Sequence, residues 1–238
     1  MQLNWEDKTI VIVDDIKINL VLIKTQLRKT KANFVWLING QEAIDYVQEK
    51  KKVDVILMDI RMPVLDGVEA TKKITRHFYE NGCKRIAYIS GPEHLNISKN
   101  RKVGYLEGLK ECGLKFDPQF LVTCNLSTKD ATRATRQLLT NKILPDAIFG
   151  LNDTIAFAAM KEIKNQGLKI PDDIALVGFT DEFHSTVVEP SLTSVTHPTF
   201  KMGQEAANLF FKCIRNGKGF SEKIELKADL IIRESTLK

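Results

Sequence analysis

The sequence predicts an α/β protein of two lobes, in each of which helices cover both faces of a parallel sheet. Short apolar runs alternate with amphipathic stretches almost to the end of the chain, and this alternation is typical of doubly wound sheets. The 238 residues allow either one large domain or two lobes of roughly 100 to 120 residues. Several amphipathic stretches end at a glycine, such as Gly82, Gly113 and Gly167, which can form a left-handed helix cap.

Strands are predicted where a short run of mainly β-branched or aromatic residues stands between turn residues. In chain order they cover residues 8–13, 33–38, 53–58, 85–90, 120–124, 146–151 and 174–179, followed by two weaker strands, LTSVT and IELKADLIIR. Helices are predicted where apolar residues recur every three or four positions. They are INLVLIKTQLRK, GQEAIDYVQEK, DGVEATKKITRHFYENG, RKVGYLEGLKECG, DATRATRQLLTN, TIAFAAMKEIKNQG and KMGQEAANLFFKCIRNG.

Composition narrows the classes of function. The net charge of +5 comes from scattered lysines and arginines, whereas a nucleic-acid surface needs clustered charge, so no DNA partner is expected. The four cysteines lack both the spacing of a zinc site and the density of a secreted disulfide scaffold. No apolar stretch approaches the ~18 residues of a membrane span, and the first residues lack the pattern of a signal peptide. We therefore expect a cytoplasmic protein without membrane contact.

Three carboxylates lie directly after predicted strands, at the sheet edge where ligands collect in doubly wound folds. Asp14 and Asp15 follow the first strand, and Asp59 follows the third. These two strands are neighbours in such a sheet, so the carboxylates can converge, and they repel one another unless a cation lies among them. Hard oxygen ligands of this kind suit Mg²⁺. The acidic pair by itself is also typical of a turn or a helix cap.

The motif VDD and the later segment DVILMDIRMPVLDG together carry a family resemblance. They resemble the receiver domain of two-component response regulators, and the resemblance covers residues 8 to about 75. It implies a flavodoxin-like first lobe in which Asp59 accepts a phosphoryl group. Mg²⁺ would then be held by Asp14, Asp15, Asp59 and the backbone carbonyl of Arg61. A histidine kinase is expected as a partner if this part of the chain is functional.

The resemblance to a receiver does not extend to its later strands. The fourth strand of a receiver ends in a serine or threonine that senses phosphorylation, and Ser90 could take that place. The fifth strand ends in Lys-Pro, whereas no predicted strand of this chain ends in that pair. Without the lysine the phosphoryl oxygens lose their second cation, so the sequence predicts inefficient phosphorylation.

A second resemblance begins at about residue 76. The segments RKVGYLEGLKECG, PDAIFGLNDTIAFAAMKEIKNQGLKIPDDIALVGFTD and PSLTSVTHPTFKMGQEAANLFF resemble the effector-binding domain of LacI/GalR-type repressors in order and spacing. This implies a periplasmic-binding-protein-like I fold that takes a sugar or purine-like effector, and it allows a homodimer. The residues that match effector contacts are Arg101, Asn152, Asp153 and Asp181. Alternatively, Asp153 caps the following helix, Arg101 is a solvated charge, and the other two are turn residues.

The two resemblances together suggest how the lobes divide the chain. The receiver-like lobe is expected to comprise residues 1–68 and 193–218, and the repressor-like lobe residues 69–192 and 219–238. Receiver-like carboxylates then replace one wall of the repressor family's cleft. Because a ligand in a half-lined cleft leaves its other face unpaired, the native effector affinity should be largely lost.

The leading hypothesis is a non-enzymatic hybrid of the two families, most simply explained as engineered, with natural recombination as the alternative. It would retain at most residual Mg²⁺ or small-molecule binding. The other hypotheses are a signalling module in which Asp59 accepts phosphate, and an effector sensor of repressor type without a DNA-binding domain. No catalytic residues are predicted, because the histidines are isolated and no nucleophile elbow, P-loop or dinucleotide motif occurs.

Overall fold

The computed structural model has the predicted α/β architecture and describes residues 4–14, 17–49, 51–58, 67–216, 224 and 226–237. The chain forms two compact units, Met1–Pro63 and Val64–Lys238. Each unit has a sheet of its own, with three strands in the first and six in the second. Within the described ranges, none of the helices is both long enough and apolar enough to cross a membrane.

The amino-terminal unit contains a three-stranded parallel sheet with a helix on each face. Its elements are β1 (Thr9–Val13), α1 (Lys17–Leu27), β2 (Asn33–Leu37), α2 (Gly40–Gln48) and β3 (Val55–Met58). The strand order is β2-β1-β3, so β1 is central. Side chains alternate across β1, because Ile12 packs with Leu20 of α1 while Val13 packs with Ala43 of α2. Asp14 follows β1 directly and so lies at the carboxyl end of the central strand.

The carboxyl-terminal unit is built on the six-stranded sheet. Its helices are α3 (Gly67–Glu80), α4 (Asn96–Glu111), α5 (Thr128–Leu139), α6 (Asp153–Asn165) and α7 (Thr199–Asn216). Its strands are β4 (Ile86–Ser90), β5 (Leu121–Thr123), β6 (Ala147–Gly150), β7 (Ala175–Thr180), β8 (Thr193–Thr196) and β9 (Leu230–Ile231). The order is β5-β4-β6-β7-β8-β9, and all neighbours are parallel except β8 and β9. The carboxyl ends of β4 to β8 therefore lie along one edge.

The centre of this sheet is buried on both faces. Every residue of β4 and β6 is buried, and in β7 all but the last residue are. Such continuous apolar strands are expected when helices cover a parallel sheet on both sides. The ring of Tyr88 in β4 stacks on that of Phe149 in β6 with the centroids 4.8 Å apart. Strands β4, β6 and β7 consequently contain no charged side chains.

Strand β8 corrects the predicted division of the chain. The sequence predicts that residues 193–218 return to the first lobe, but β8 pairs with β7 and β9 in the six-stranded sheet. Thr193, Ser194 and Val195 are buried there. The short run LTSVT fits either sheet, because the partners available to a strand decide where it packs. The units are thus continuous segments rather than the interleaved segments predicted. Within the described part of the weak final strand, the paired residues are Leu230–Ile231.

Buried hydroxyl groups fix the end of the described chain to the carboxyl-terminal unit. Thr236 Oγ1 lies 2.9 Å from Thr193 Oγ1 in β8 and 2.9 Å from His77 Nε2 in α3. His77 is 8% exposed, and burial lowers its pKa from the usual 6.5 although nearby Glu80 acts in the opposite direction. The folded state therefore favours the neutral form of the His77 imidazole.

Helices α3 and α4 approach each other so closely that α4 presents glycine to α3. A Cβ atom at Gly104 would lie 2.4 Å from the carbonyl oxygen of Val68, and one at Gly108 would lie 2.7 Å from Thr75 Cβ. Glycine normally weakens a helix, so its presence at these positions reflects the short distance between the two backbones.

We expect acid to weaken the contact of His77 with Thr236. Because the folded-state pKa of His77 is lowered, the neutral ring contributes stability above about pH 6.5, and this contribution is lost as the pH falls below that value. The free energy of unfolding in urea should therefore fall less steeply between pH 7 and pH 5 in His77→Gln, whose amide does not titrate, than in the wild type.

His94→Gln is the matched control for this measurement, because His94 is exposed. It should keep the wild-type pH dependence. The pKa of His197 is also lowered, so part of the slope should remain in His77→Gln. Equal slopes in the wild type and His77→Gln would contradict the assignment.

We expect Gly104→Ala to lower the free energy of unfolding by about 1–3 kcal/mol, because overpacking against Val68 outweighs the ~1 kcal/mol gain in helix propensity. Gly203→Ala in α7 is the control, since a Cβ there meets open space. Its stability should be unchanged or raised. A Gly104→Ala variant as stable as the wild type in urea denaturation would show that the two helices can separate without cost.

Candidate functional site

A cavity of about 660 Å³ opens at the carboxyl ends of β7 and β8. This volume is typical of small-molecule sites, and ligands of open parallel sheets bind at this edge. The walls combine hydroxyl, carboxylate, ammonium and imidazole groups with a few apolar side chains. The lining residues are Thr180, Asp181, Thr196, His197, Pro198, Lys201, Leu226, Lys227 and Asp229.

Asp181, which the sequence predicts as a ligand contact, lines this cavity. Thr180 and Asp181 have φ values of 118° and 52°, which residues other than glycine rarely adopt. The N–H of Asp181 donates to Ser194 Oγ at 3.1 Å, and Oδ1 lies 2.7 Å from Arg233 Nη2 in an ion pair without hydrogen-bond geometry. The strained turn therefore holds a charge-balanced carboxylate at the cavity wall. Strain of this kind concentrates at functional sites.

Arg101 is a buried cation at the same edge of the sheet, with 5% of its surface exposed. Its guanidinium carbon lies 3.4 Å from the centre of the Phe179 ring, and Nη1 donates to the Leu151 carbonyl. Burial lowers its pKa to about 10, against the opposing influence of Tyr88 and Asp153, so the side chain stays protonated at neutral pH. Arg101 is thus not the solvated helix charge that the sequence leaves open.

Among the described residues, the buried polar atoms at this edge that have no hydrogen-bond partner include Ser98 Oγ, Arg101 Nε and Thr180 Oγ1. An unpaired buried polar group costs about 1–3 kcal/mol, and native proteins normally pair such groups with protein, water or ligand atoms. Ser98 and Arg101 lie in the first half of α4, which follows β4, and Thr180 ends β7. The edge that contains the cavity therefore also contains unsatisfied donors and acceptors.

Asn152 and Asp153 fix the start of helix α6. Asn152 Oδ1 accepts a hydrogen bond from the N–H of Ile155 at 2.9 Å, which makes Asn152 the N-cap. Asp153 has no exposed surface, and its carboxylate accepts hydrogen bonds from protein groups that include the N–H of Glu182. Two predictions are corrected here. The helix cap is Asn152 rather than Asp153, and Asp153 supports the neighbouring loop instead of lining the cavity.

His197 and the cationic side chains of the cavity were not among the predicted site residues. Burial lowers the pKa of His197, and the charge of Arg101 lowers it further, so the imidazole is neutral at pH 7. Thr196 and His197 end and follow β8, so their position after a strand is the sequence signal that could have identified them, although LTSVT is a weak strand pattern. Lys227 and Asp229 precede the two-residue strand β9, and no sequence signal predicts that its antiparallel pairing brings them to this edge.

The receiver-like site belongs to the amino-terminal unit. Asp14 is 9% exposed, and its Oδ2 accepts a hydrogen bond from Asn19 Nδ2 at 2.8 Å. A buried carboxylate at the end of β1 is a hard oxygen ligand of the kind that Mg²⁺ takes, so this residue fits the predicted metal. Its predicted partners Asp15, Asp59 and Arg61 lie outside the described residues.

Ser90, considered as a phosphate-sensing residue, ends β4 and is 3% exposed. Its strand pairs with β5 and β6 in the six-stranded sheet rather than with β3. The strand order therefore differs from that of the receiver on which this prediction rests.

Two family models match the chain. The model of the periplasmic binding protein-like domain matches residues 75–236, and that of the response regulator receiver domain matches residues 10–101. The two matches overlap in residues 75–101, which contain the end of α3, all of β4 and the start of α4. These elements continue the βα alternation that both kinds of domain share.

Known proteins similar to this chain include transcriptional regulators. The HTH-type transcriptional repressor CytR of Escherichia coli (strain K12) is 32% identical over 172 residues, which are 72% of this chain and 50% of CytR. The chain thus spans about half the length of that relative. A transcriptional regulator CelR–cellobiose complex has a TM-score of 0.75 and 24% identity, covering 99% of this chain and 86% of the other.

A sugar-binding transcriptional regulator of the LacI family from Escherichia coli, solved with phosphate, has a TM-score of 0.78 and 18% identity. The likeness covers 95% of this chain and 97% of that protein. At these identities the solved structures show that the fold is shared.

The ion pair of Asp181 and Arg233 connects the cavity wall to the last part of the described chain. We expect the coupling free energy of the two side chains to be about 1–2 kcal/mol, because both are largely removed from water. A double-mutant cycle with Asp181→Asn and Arg233→Met, measured by urea denaturation, gives this energy. The same cycle on the exposed pair Lys102–Glu93 is the control and should give less than ~1 kcal/mol. Equal coupling free energies in the two cycles would show that the buried pair is no stronger than an exposed one.

Proposed function

We propose that this chain, which belongs to the family of periplasmic binding protein-like domains, binds a small polar effector at the carboxyl edge of its six-stranded sheet. The observation that carries the proposal is the position of Arg101 Nε and Thr180 Oγ1, which are buried and unpaired at the edge where the 660 Å³ cavity opens. A bound polar molecule would supply the missing hydrogen bonds.

The groups at this edge suit a molecule rich in hydroxyl groups or ring nitrogens. Asp181 can accept hydrogen bonds, while Lys201, Lys227 and Arg101 can only donate them. Carboxylate and cationic groups in one site favour ligands that carry both donors and acceptors, as sugars and purine-like compounds do. The cellobiose in the CelR complex makes sugars the first class to test.

The proposed role is non-enzymatic. The relatives named here are transcriptional regulators, and binding of an effector by such a unit would act through a change in conformation or association rather than through chemistry. Activities of the longer relatives are not transferred to this chain, since it spans about half of CytR.

A second candidate function is phosphoryl acceptance in the amino-terminal unit, which the receiver match over residues 10–101 favours. Asp59 would accept the phosphoryl group, and Asp14, Asp15, Asp59 and the Arg61 carbonyl would hold Mg²⁺. The metal would neutralise phosphoryl oxygens when bound. Asp14 contributes a carboxylate that Asn19 already orients by a hydrogen bond of 2.8 Å.

We also propose that the chain is a hybrid of the two families, engineered or formed by natural recombination. The two matches overlap only in residues 75–101, and the compact units divide near residue 63, close to where the receiver motif ends. A junction there falls at the start of α3, so it would preserve the βα alternation on both sides.

The effector hypothesis is tested by calorimetric titration with cellobiose, ribose and adenosine. At least one compound should bind, and Asp181→Ala should weaken it by about 10- to 100-fold, because hydrogen bonds to a charged group contribute about 1.5–3 kcal/mol. Asp172→Ala is the matched control at an exposed aspartate outside the cavity and should bind as the wild type does. Binding that is equal in the wild type and Asp181→Ala would place the effector elsewhere.

The phosphoryl hypothesis is tested by incubation with acetyl phosphate and Mg²⁺ followed by mass spectrometry of the intact chain. The expected result is a mass increase of one phosphoryl group that disappears in Asp59→Asn or when EDTA removes the metal. Asp54→Asn, at a carboxylate beside β1 that accepts from the Thr9 N–H, is the control and should keep the modification. No mass increase in the wild type at high acetyl phosphate would count against this function.

A further inference from the structure

The carboxylate of Asp153 is the centre of a buried hydrogen-bond network at the carboxyl edge of the six-stranded sheet. Asp153 is the first residue of α6 and has no exposed surface. Its Oδ2 accepts from the N–H of Glu182 at 2.7 Å and from Ser185 Oγ at 3.0 Å, while Oδ1 accepts from Ser194 Oγ at 2.6 Å. One carboxylate thus binds the loop after β7 and the strand β8.

Ser194 extends this network to Asp181. Its hydroxyl donates to Asp153 and accepts from the N–H of Asp181 at 3.1 Å. The N–H groups of Asp181 and Glu182 therefore both depend on the same carboxylate, one through Ser194 and the other directly. These contacts flank the two residues whose φ values lie in the left-handed region. Such a conformation persists only when the surroundings hold it in place.

Gly178 leaves the space that the carboxylate occupies. A Cβ atom at this position of β7 would lie 2.1 Å from Asp153 Oδ1 and 3.0 Å from Leu192 Cδ2. Since no heavy atom can approach another so closely, any larger residue would displace the carboxylate or the strand. The glycine is required here by the close approach of Asp153.

The network requires that both side-chain oxygens of residue 153 accept hydrogen bonds. Three donors converge on the carboxylate, and an ionised aspartate accepts from all of them, whereas asparagine has one acceptor oxygen and an NH₂ group that only donates. The Glu182 N–H is fixed by the backbone, so the asparagine oxygen would face it. Ser194 would then meet the NH₂ group and lose the acceptor for its own hydrogen.

We propose that Asp153 is a positioning residue for the cavity, whose buried carboxylate holds the turn around Thr180, Asp181 and Glu182 in the conformation that presents the Asp181 side chain. This inference rests on the proposed function, because the presented side chain acts on an effector. Asp153 itself has no exposed surface and acts through the turn.

The hold on the turn is tested without any ligand by amide hydrogen exchange measured by NMR. In Asp153→Asn the amides of Asp181 and Glu182 should exchange at least ~10-fold faster, while the interior amides of β6 should be unchanged. In Ser194→Ala the effect should be largest at Asp181, because Ser194 binds that amide directly.

Ser191→Ala is the matched control for Ser194→Ala, because it removes a hydroxyl near the start of β8 that donates to another carboxylate, Glu234, at 3.0 Å. In Ser191→Ala the amide of Asp181 should exchange at the same rate as in the wild type. Gly178→Ala should reproduce the effect of Asp153→Asn, and Gly203→Ala should not. Unchanged exchange at Asp181 and Glu182 in both Asp153→Asn and Ser194→Ala would overturn the proposal.

The consequence for binding is tested by calorimetry with whichever of cellobiose, ribose and adenosine binds the wild type. Ser194→Ala should bind at least ~10-fold more weakly, and Ser191→Ala should bind as the wild type does. Faster exchange with unchanged affinity would overturn the positioning role and leave Asp153 as a purely structural residue. If none of the three compounds binds the wild type, the proposed function fails, while the exchange data still decide whether Asp153 holds the turn.

Discussion

Burial of the centre of the six-stranded sheet on both faces is the constraint on which the rest of the carboxyl-terminal unit depends. The interiors of β4, β6 and β7 consist mainly of apolar side chains, so groups that could bind a polar molecule are found at the strand ends. Because the strands are parallel, those ends lie along one edge. Arg101, Thr180, Asp181 and His197 are brought to that edge from separate parts of the chain.

At this edge, buried hydrogen bonds and an ion pair hold a strained turn of the backbone in place. The turn at Thr180 and Asp181 adopts an unfavourable conformation, and the Asp153 carboxylate fixes the amides that follow β7. Gly178 makes room for that carboxylate. The guanidinium of Arg233 balances the charge of the Asp181 carboxylate. Rigidity of this kind reduces the ordering that a ligand would otherwise have to bring about.

Much of the fold and part of the site can be predicted from the sequence. The strands β4, β6 and β7 are predictable because burial on both faces produces continuous apolar runs. The sheet that β8 joins is not, because LTSVT is short and its place depends on β7 and β9. Asp181 is predictable as a residue that follows a strand, whereas its pairing with Arg233 depends on tertiary packing. The structural role of Asp153 cannot be distinguished from ligand contact without the positions of Ser194 and Glu182.

We propose that the carboxyl edge of the six-stranded sheet binds a polar molecule. The most direct measurement is a crystal structure that shows ordered solvent and any ligand retained on purification. We expect an ordered polar atom within hydrogen-bond distance of Arg101 Nε and of Thr180 Oγ1, with the Asp181 carboxylate facing the cavity. Protein side chains that pair both atoms and fill the cavity would contradict it.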